Sequence, residues 1–64
     1  MHLKKPTYRI KIKQGGTLPN ETYEWEIYRN SDVLPVLRSQ QFFRSRIAVL
    51  ADANRSRLQL ADVT

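Results

Sequence analysis

Cysteine is absent from the 64 residues, and histidine occurs once, at His2. Without cysteine there is no disulfide framework, no thiolate zinc site and no thiol nucleophile. A lone histidine also excludes histidine-based metal sites and Ser-His-Asp triads. Glycine is scarce, with two residues, and Gly15-Gly16 lacks the following helix and lysine of a phosphate-binding loop. A hairpin loop accounts for that pair. No apolar run approaches the roughly 20 residues of a membrane span. The start, Met1 to Lys13, has basic residues without an apolar stretch behind them, so no signal peptide is expected and the expected location is the cytoplasm. Acidic residues are the minority sign: six Asp and Glu against eleven Lys and Arg, a net charge of +5. The carboxylates offer no acid/base pair. Glu24 and Glu26 alternate along a strand with cationic neighbours, and Asp52 and Asp62 read as the polar side of a helix. Catalytic residues, metals and cofactors are therefore not expected, and the chain reads as non-enzymatic.

What remains is 41% hydrophobic and 27% charged, which suits a folded domain. The reading is a single domain over 1–64 with a flexible arm at 1–6. Residues 7–13 alternate strictly. Tyr8, Ile10 and Ile12 face one way, Arg9, Lys11 and Lys13 the other, as in a half-buried strand. Residues 14–21 form a loop by their Gly and Pro content. Thr22 to Arg29 alternates again, with Tyr23, Trp25 and Ile27 on the apolar face and Glu24, Glu26 and Tyr28 on the polar one. Two antiparallel registers keep apolar over apolar. One sets Lys11 opposite Glu24 and Arg9 opposite Glu26. The other sets Lys13 opposite Glu24 and Lys11 opposite Glu26. Either makes the basic face of the first strand complementary to the acidic face of the second.

Asn30-Ser31-Asp32 is turn chemistry. Residues 33–39 read as a third strand, placed at the sheet edge by Pro35. Ser45 is a candidate N-cap for a helix from Arg46 to about Ala61. Ile47, Leu50, Ala51, Asn54, Leu58 and Ala61 fall on one stripe of that helix, expected to cover the sheet with Phe43 or Phe42 closing the end. A second apolar group, Val49, Ala53 and Leu60, is left as a candidate dimer interface. The fold class is therefore α+β: a three-stranded antiparallel meander, order 1-2-3, packed on one C-terminal helix.

Trp25-Glu26-Ile27-Tyr28, then a polar turn, Arg38-Ser39 closing the third strand, Phe43-Arg44-Ser45 and a helix with Ala51-Asp52-Ala53 resemble the YegP-like family of small bacterial proteins. The resemblance spans roughly residues 8–60. It implies a β-β-β-α unit, which some members carry twice, and it supplies no activity or catalytic residues to carry over. A one-unit chain would imitate that pair by dimerising.

Small size points the same way. A chain this short buries only about 60% of its unfolded surface, and a core of this kind supplies about 3–5 kcal/mol. With disulfides and metals excluded, a homodimer is the expected state. The alternative is nucleic-acid binding. Charge divides as +5 over residues 1–13, −3 over 14–32 and +3 over 33–64, leaving Lys4, Lys5, Arg38, Arg44 and Arg46 as candidate anion or nucleic-acid contacts. The acidic face of the second strand and the expected burial of Tyr8, Tyr23 and Trp25 argue against a stacking platform.

Overall fold

The computed structural model describes residues 6–63, with side chains in the last helical turn as far as Ala61. The expected arm, with Lys4 and Lys5, falls outside the described residues apart from Pro6. The elements run β1 (Tyr8–Gly15), β2 (Thr22–Arg29), β3 (Leu37–Arg38) and α1 (Arg46–Val63). The strands form one antiparallel sheet in the order β1-β2-β3. The helix packs on β1 and β2. This is the α+β meander expected from the alternation of polar and apolar residues.

Register follows the charge pattern. Lys13 stands opposite Glu24 and Lys11 opposite Glu26, with Ile12 opposite Trp25 and Ile10 opposite Ile27. Arg9 is opposite Tyr28 rather than Glu26. Its guanidinium lies 5.2 Å from the Tyr28 ring centroid. The same side chain donates to the carbonyls of Asn30, at 2.8 Å, and Asp32, at 3.2 Å. One arginine thus ties the strand pair to the turn that follows it. Asn30 sits at φ 53°, the left-handed region that Asn tolerates. Gly16 opens the other loop at φ 75°, where an added Cβ would run into the carbonyl oxygen of Asn20.

β3 is much shorter than residues 33–39. Val33 and Leu34 stay outside the ladder and are exposed. Pro35 has no N–H to give, so pairing starts only at Val36, which donates to Ile27 at 2.8 Å. Pairing ends at Ser39, whose N–H donates to the Trp25 carbonyl at 2.9 Å. Its hydroxyl accepts the Trp25 N–H at 3.2 Å, in place of a backbone carbonyl. The chain leaves the sheet there and touches it again through a Tyr23–Phe43 bridge. Ser45 caps the helix as expected, its hydroxyl accepting the N–H of Ala48 at 3.3 Å.

The helix is rotated from the expected orientation. Val49 and Ala53 are fully buried against Trp25 and Ile27, and Leu60 packs beside them. These three residues, expected to form a dimer interface, are core. Conversely Ile47, Leu50, Ala51, Asn54, Leu58 and Ala61 are exposed. Two features of the chosen face explain the rotation. Ala53 is small enough to let the helix approach the large Trp25 ring. Asp52, beside it, accepts the indole N–H, Nε1 to Oδ2 at 2.8 Å. A tryptophan only 3% exposed needs that acceptor. Asp52 is thus half-buried and bonded rather than free on a polar side. Phe43 closes the end of the core, while Phe42 is exposed.

Candidate interaction surfaces

Four regions of the surface carry chemistry. The first is the outer face of the sheet. Glu26 is buried there, accepting from the Tyr28 hydroxyl at 2.8 Å and pairing with Arg38 at 3.6 Å. Lys11, Glu26 and Arg38 form a row across the three strands, cation, anion, cation. Arg38 is therefore bound into the sheet by its carboxylate partner. Donation to Glu26 holds the Tyr28 phenol above its ordinary value. On the inner face, at the other end of β2, Tyr23 donates to Glu21 at 3.0 Å and Gln14 reaches the same oxygen at 2.7 Å. The Tyr23 phenol is raised chiefly by that hydrogen bond.

The second region is a cleft of about 280 Å³ between the helix and residues 40–41, with Arg38, Arg55 and Ser56 in its wall and Trp25 at its base. Its charges are already matched. Arg38 holds Glu26, and Arg55 bonds the second oxygen of Asp52. The cleft is the outer rim of the Trp25–Asp52 junction.

The third region is the helix start. Arg44 and Arg46 are exposed, and no ion pair engages either among the described residues. Arg38, by contrast, faces Glu26 on the sheet. Of the expected contacts, Arg38 pairs with Glu26, Arg44 and Arg46 are exposed, and Lys4 and Lys5 lie outside the described residues.

The fourth region is the outward stripe of the helix. Ile47 is 82% exposed and Leu58 60%, with Leu50 and Ala51 between them. Asn54 lies mid-stripe, its amide donating to the Leu50 carbonyl at 3.0 Å and accepting from Arg57 at 3.3 Å. Arg57 lies half-buried along the helix flank, its Nε covered and without a hydrogen bond. Sequence periodicity detected this apolar stripe but assigned it to the core.

Among the described residues no group of three or more His, Cys, Asp or Glu is placed to hold a metal ion, and no helix is long and apolar enough to cross a membrane. No family model, curated protein or solved structure matches the chain.

Proposed function

We propose that this chain is a small non-enzymatic interaction module whose first partner is a second copy of itself. The observation that carries the reading is the exposed stripe Ile47, Leu50, Ala51 and Leu58 on a helix whose opposite face is already packed. On the 18-residue helix this stripe runs for about 17 Å, from Ile47 to Leu58. Its residues recur at helical spacing, so a like helix would bury them continuously. Charge favours an antiparallel pair. Arg44 and Arg46 sit at the positive end of their own helix dipole, an unfavourable position. A dyad near Asn54 brings them to the negative C-terminal end of the partner helix. One helix pair lies at the small end of specific interfaces, below about 1,200 Å² in total, so association is weak and concentration-dependent. The YegP-like resemblance agrees with this reading, since a dimer of one-unit chains imitates a two-unit chain.

The nucleic-acid alternative has less support. Arg38 is committed to Glu26, and the only aromatic on the outer sheet face, Tyr28, is already covered by Arg9.

Sedimentation equilibrium at rising concentration tests the proposal. The mass should climb from the 7.5 kDa monomer toward twice that value at high micromolar concentration. Ile47→Asp and Leu58→Asp should each restore the monomer without lowering the unfolding midpoint. A monomer at every concentration, or a dimer that survives both substitutions, overturns it.

A further inference from the structure

Among the described residues β1 has an open edge, and its chemistry differs from that of the helix stripe. β1 pairs only with β2 among the described residues, so one side of an eight-residue strand is open. The N–H of Asn30 donates to the carbonyl of Thr7 at 2.7 Å, which makes Thr7 and Asn30 a hydrogen-bonded pair. In an antiparallel ladder every second pair is of that kind. Arg9, Lys11, Lys13 and Gly15 therefore direct their backbone groups at β2. Tyr8, Ile10, Ile12 and Gln14 direct theirs at the open edge. The edge carries no proline, unlike the β3 side of the sheet with Pro35.

Side chains determine what fits there. On the outer face the edge is lined by Lys11 and Lys13, both exposed, while the Arg9 side chain is turned to Tyr28 and the carbonyls of Asn30 and Asp32. On the inner face Tyr8, Ile10 and Ile12 are only half-buried at the margin of the core. A second β1 is a poor occupant. Antiparallel pairing of two copies joins the residues with free backbone groups to each other and leaves Arg9, Lys11 and Lys13 facing their own kind, which is destabilising. The suitable occupant already exists on the other flank: β2 meets Lys13 and Lys11 with Glu24 and Glu26 and alternates these with Trp25 and Ile27.

We propose that the β1 edge binds an extended segment of another protein in which acidic and apolar residues alternate, adding a fourth strand to the sheet. The acidic residues would stand against Lys11 and Lys13. The apolar ones would extend the cover over Tyr8, Ile10 and Ile12. Main-chain hydrogen bonds supply the docking, and the charge row supplies the selection. This goes beyond the helix-mediated dimer and uses none of its residues.

The test uses the whole chain, isotopically labelled and kept dilute, with a capped seven-residue peptide alternating Glu and Val as the probe. Amide exchange should slow at Ile10, Ile12 and Gln14, while Arg9, Lys11 and Lys13, already bonded to β2, stay as they were. A peptide with Lys in place of Glu should bind at least about tenfold more weakly, and so should the Glu peptide at high salt. Lys13→Glu should lose about tenfold in affinity with the fold intact by tryptophan fluorescence. Gln14→Pro, which removes one outward N–H, should weaken binding without touching the ladder to β2. Absence of the alternate-residue pattern overturns the proposal. Equal binding by the Lys peptide overturns it too, as does an oligonucleotide that reproduces the same exchange pattern. Exchange effects on the helix stripe alone would point to the dimer surface and would also overturn it.

Discussion

The bond between Trp25 and Asp52 is the most informative place to perturb this fold. Asp52→Ala removes the carboxylate that accepts the indole N–H at 2.8 Å. Trp25 is 3% exposed, so water cannot readily replace the lost acceptor. A hydrogen bond to a charged group contributes about 1.5–3 kcal/mol, and leaving the buried donor unpaired brings the full cost of its desolvation. The ion pair of Asp52 with Arg55 adds little, because the arginine side chain is 71% exposed. The expected loss is about 2 kcal/mol, against a total of about 3–5 kcal/mol for a domain of this size. With a urea dependence of about 1 kcal/mol per molar, the unfolding midpoint should fall by about 2 M. Asp52→Asn keeps an oxygen acceptor and should cost about 0.5–1 kcal/mol. Arg55→Ala should cost under about 0.5 kcal/mol, isolating the indole contribution. The single tryptophan makes the assay direct: its fluorescence follows unfolding, and its indole proton resonance reports the bond. If Asp52→Ala moved the midpoint by less than about 0.5 M and left the indole resonance in place, the reasoning about helix orientation would be refuted.

The orientation can also be checked from the two helix faces. Val49→Ala should cost about 2 kcal/mol in chemical unfolding of the dilute protein, and Leu58→Ala should stay within about 0.5 kcal/mol; the reverse order would place the other face in the core. Tyr23 gives a pH test. Its hydrogen bond to Glu21 holds the folded-state value above 10.0, so this contribution to stability is complete below pH 10 and is lost as pH rises through the raised folded value. Tyr23→Phe should remove a step above pH 10 from the ultraviolet titration and flatten the alkaline loss of stability. A tyrosine step at or below 10 that disappears with this substitution would contradict the bond.

The strands were legible because alternation has a period of two and leaves little freedom. Tyr8-Ile10-Ile12 and Tyr23-Trp25-Ile27 must share a face, and only registers differing by two residues keep them there. Of the two, the structure uses the one that sets Lys11 against Glu26 and also brings Arg38 to that carboxylate. That second cation comes from β3 and has no local signal in β1 or β2. The length of β3 was less legible. Pro35 correctly marked β3 as an edge strand but itself lies ahead of the ladder, and the departure of the chain at Ser39 depends on a side-chain hydroxyl replacing a carbonyl, which composition does not reveal. The helix ends were legible from Ser45 and the proline-free run behind it. Its buried face was not, because apolar residues are spread round the helix and two arcs compete.

The resolution of that competition links the core to the surface. Counting apolar area favours the stripe Ile47, Leu50, Ala51 and Leu58. The core instead takes Val49, Ala53 and Leu60. The deciding demand comes from the sheet rather than the helix: Trp25 is too large to lie under a bulky side chain and too polar at one atom to be buried without an acceptor. Ala53 meets the first demand and Asp52 the second, and both lie on the arc with less apolar area. Satisfying the tryptophan thus turns the larger stripe outward. The apolar helix surface is a consequence of how the monomer solves its own core. That surface and the cationic β1 edge then invite different partners, because one offers apolar area with little charge and the other offers backbone hydrogen bonds selected by charge. The excess of positive charge is accordingly divided. Part is matched within the sheet, where Arg38 meets Glu26, part lines its open edge at Lys11 and Lys13, and part sits at the helix start, where an antiparallel partner helix would meet it.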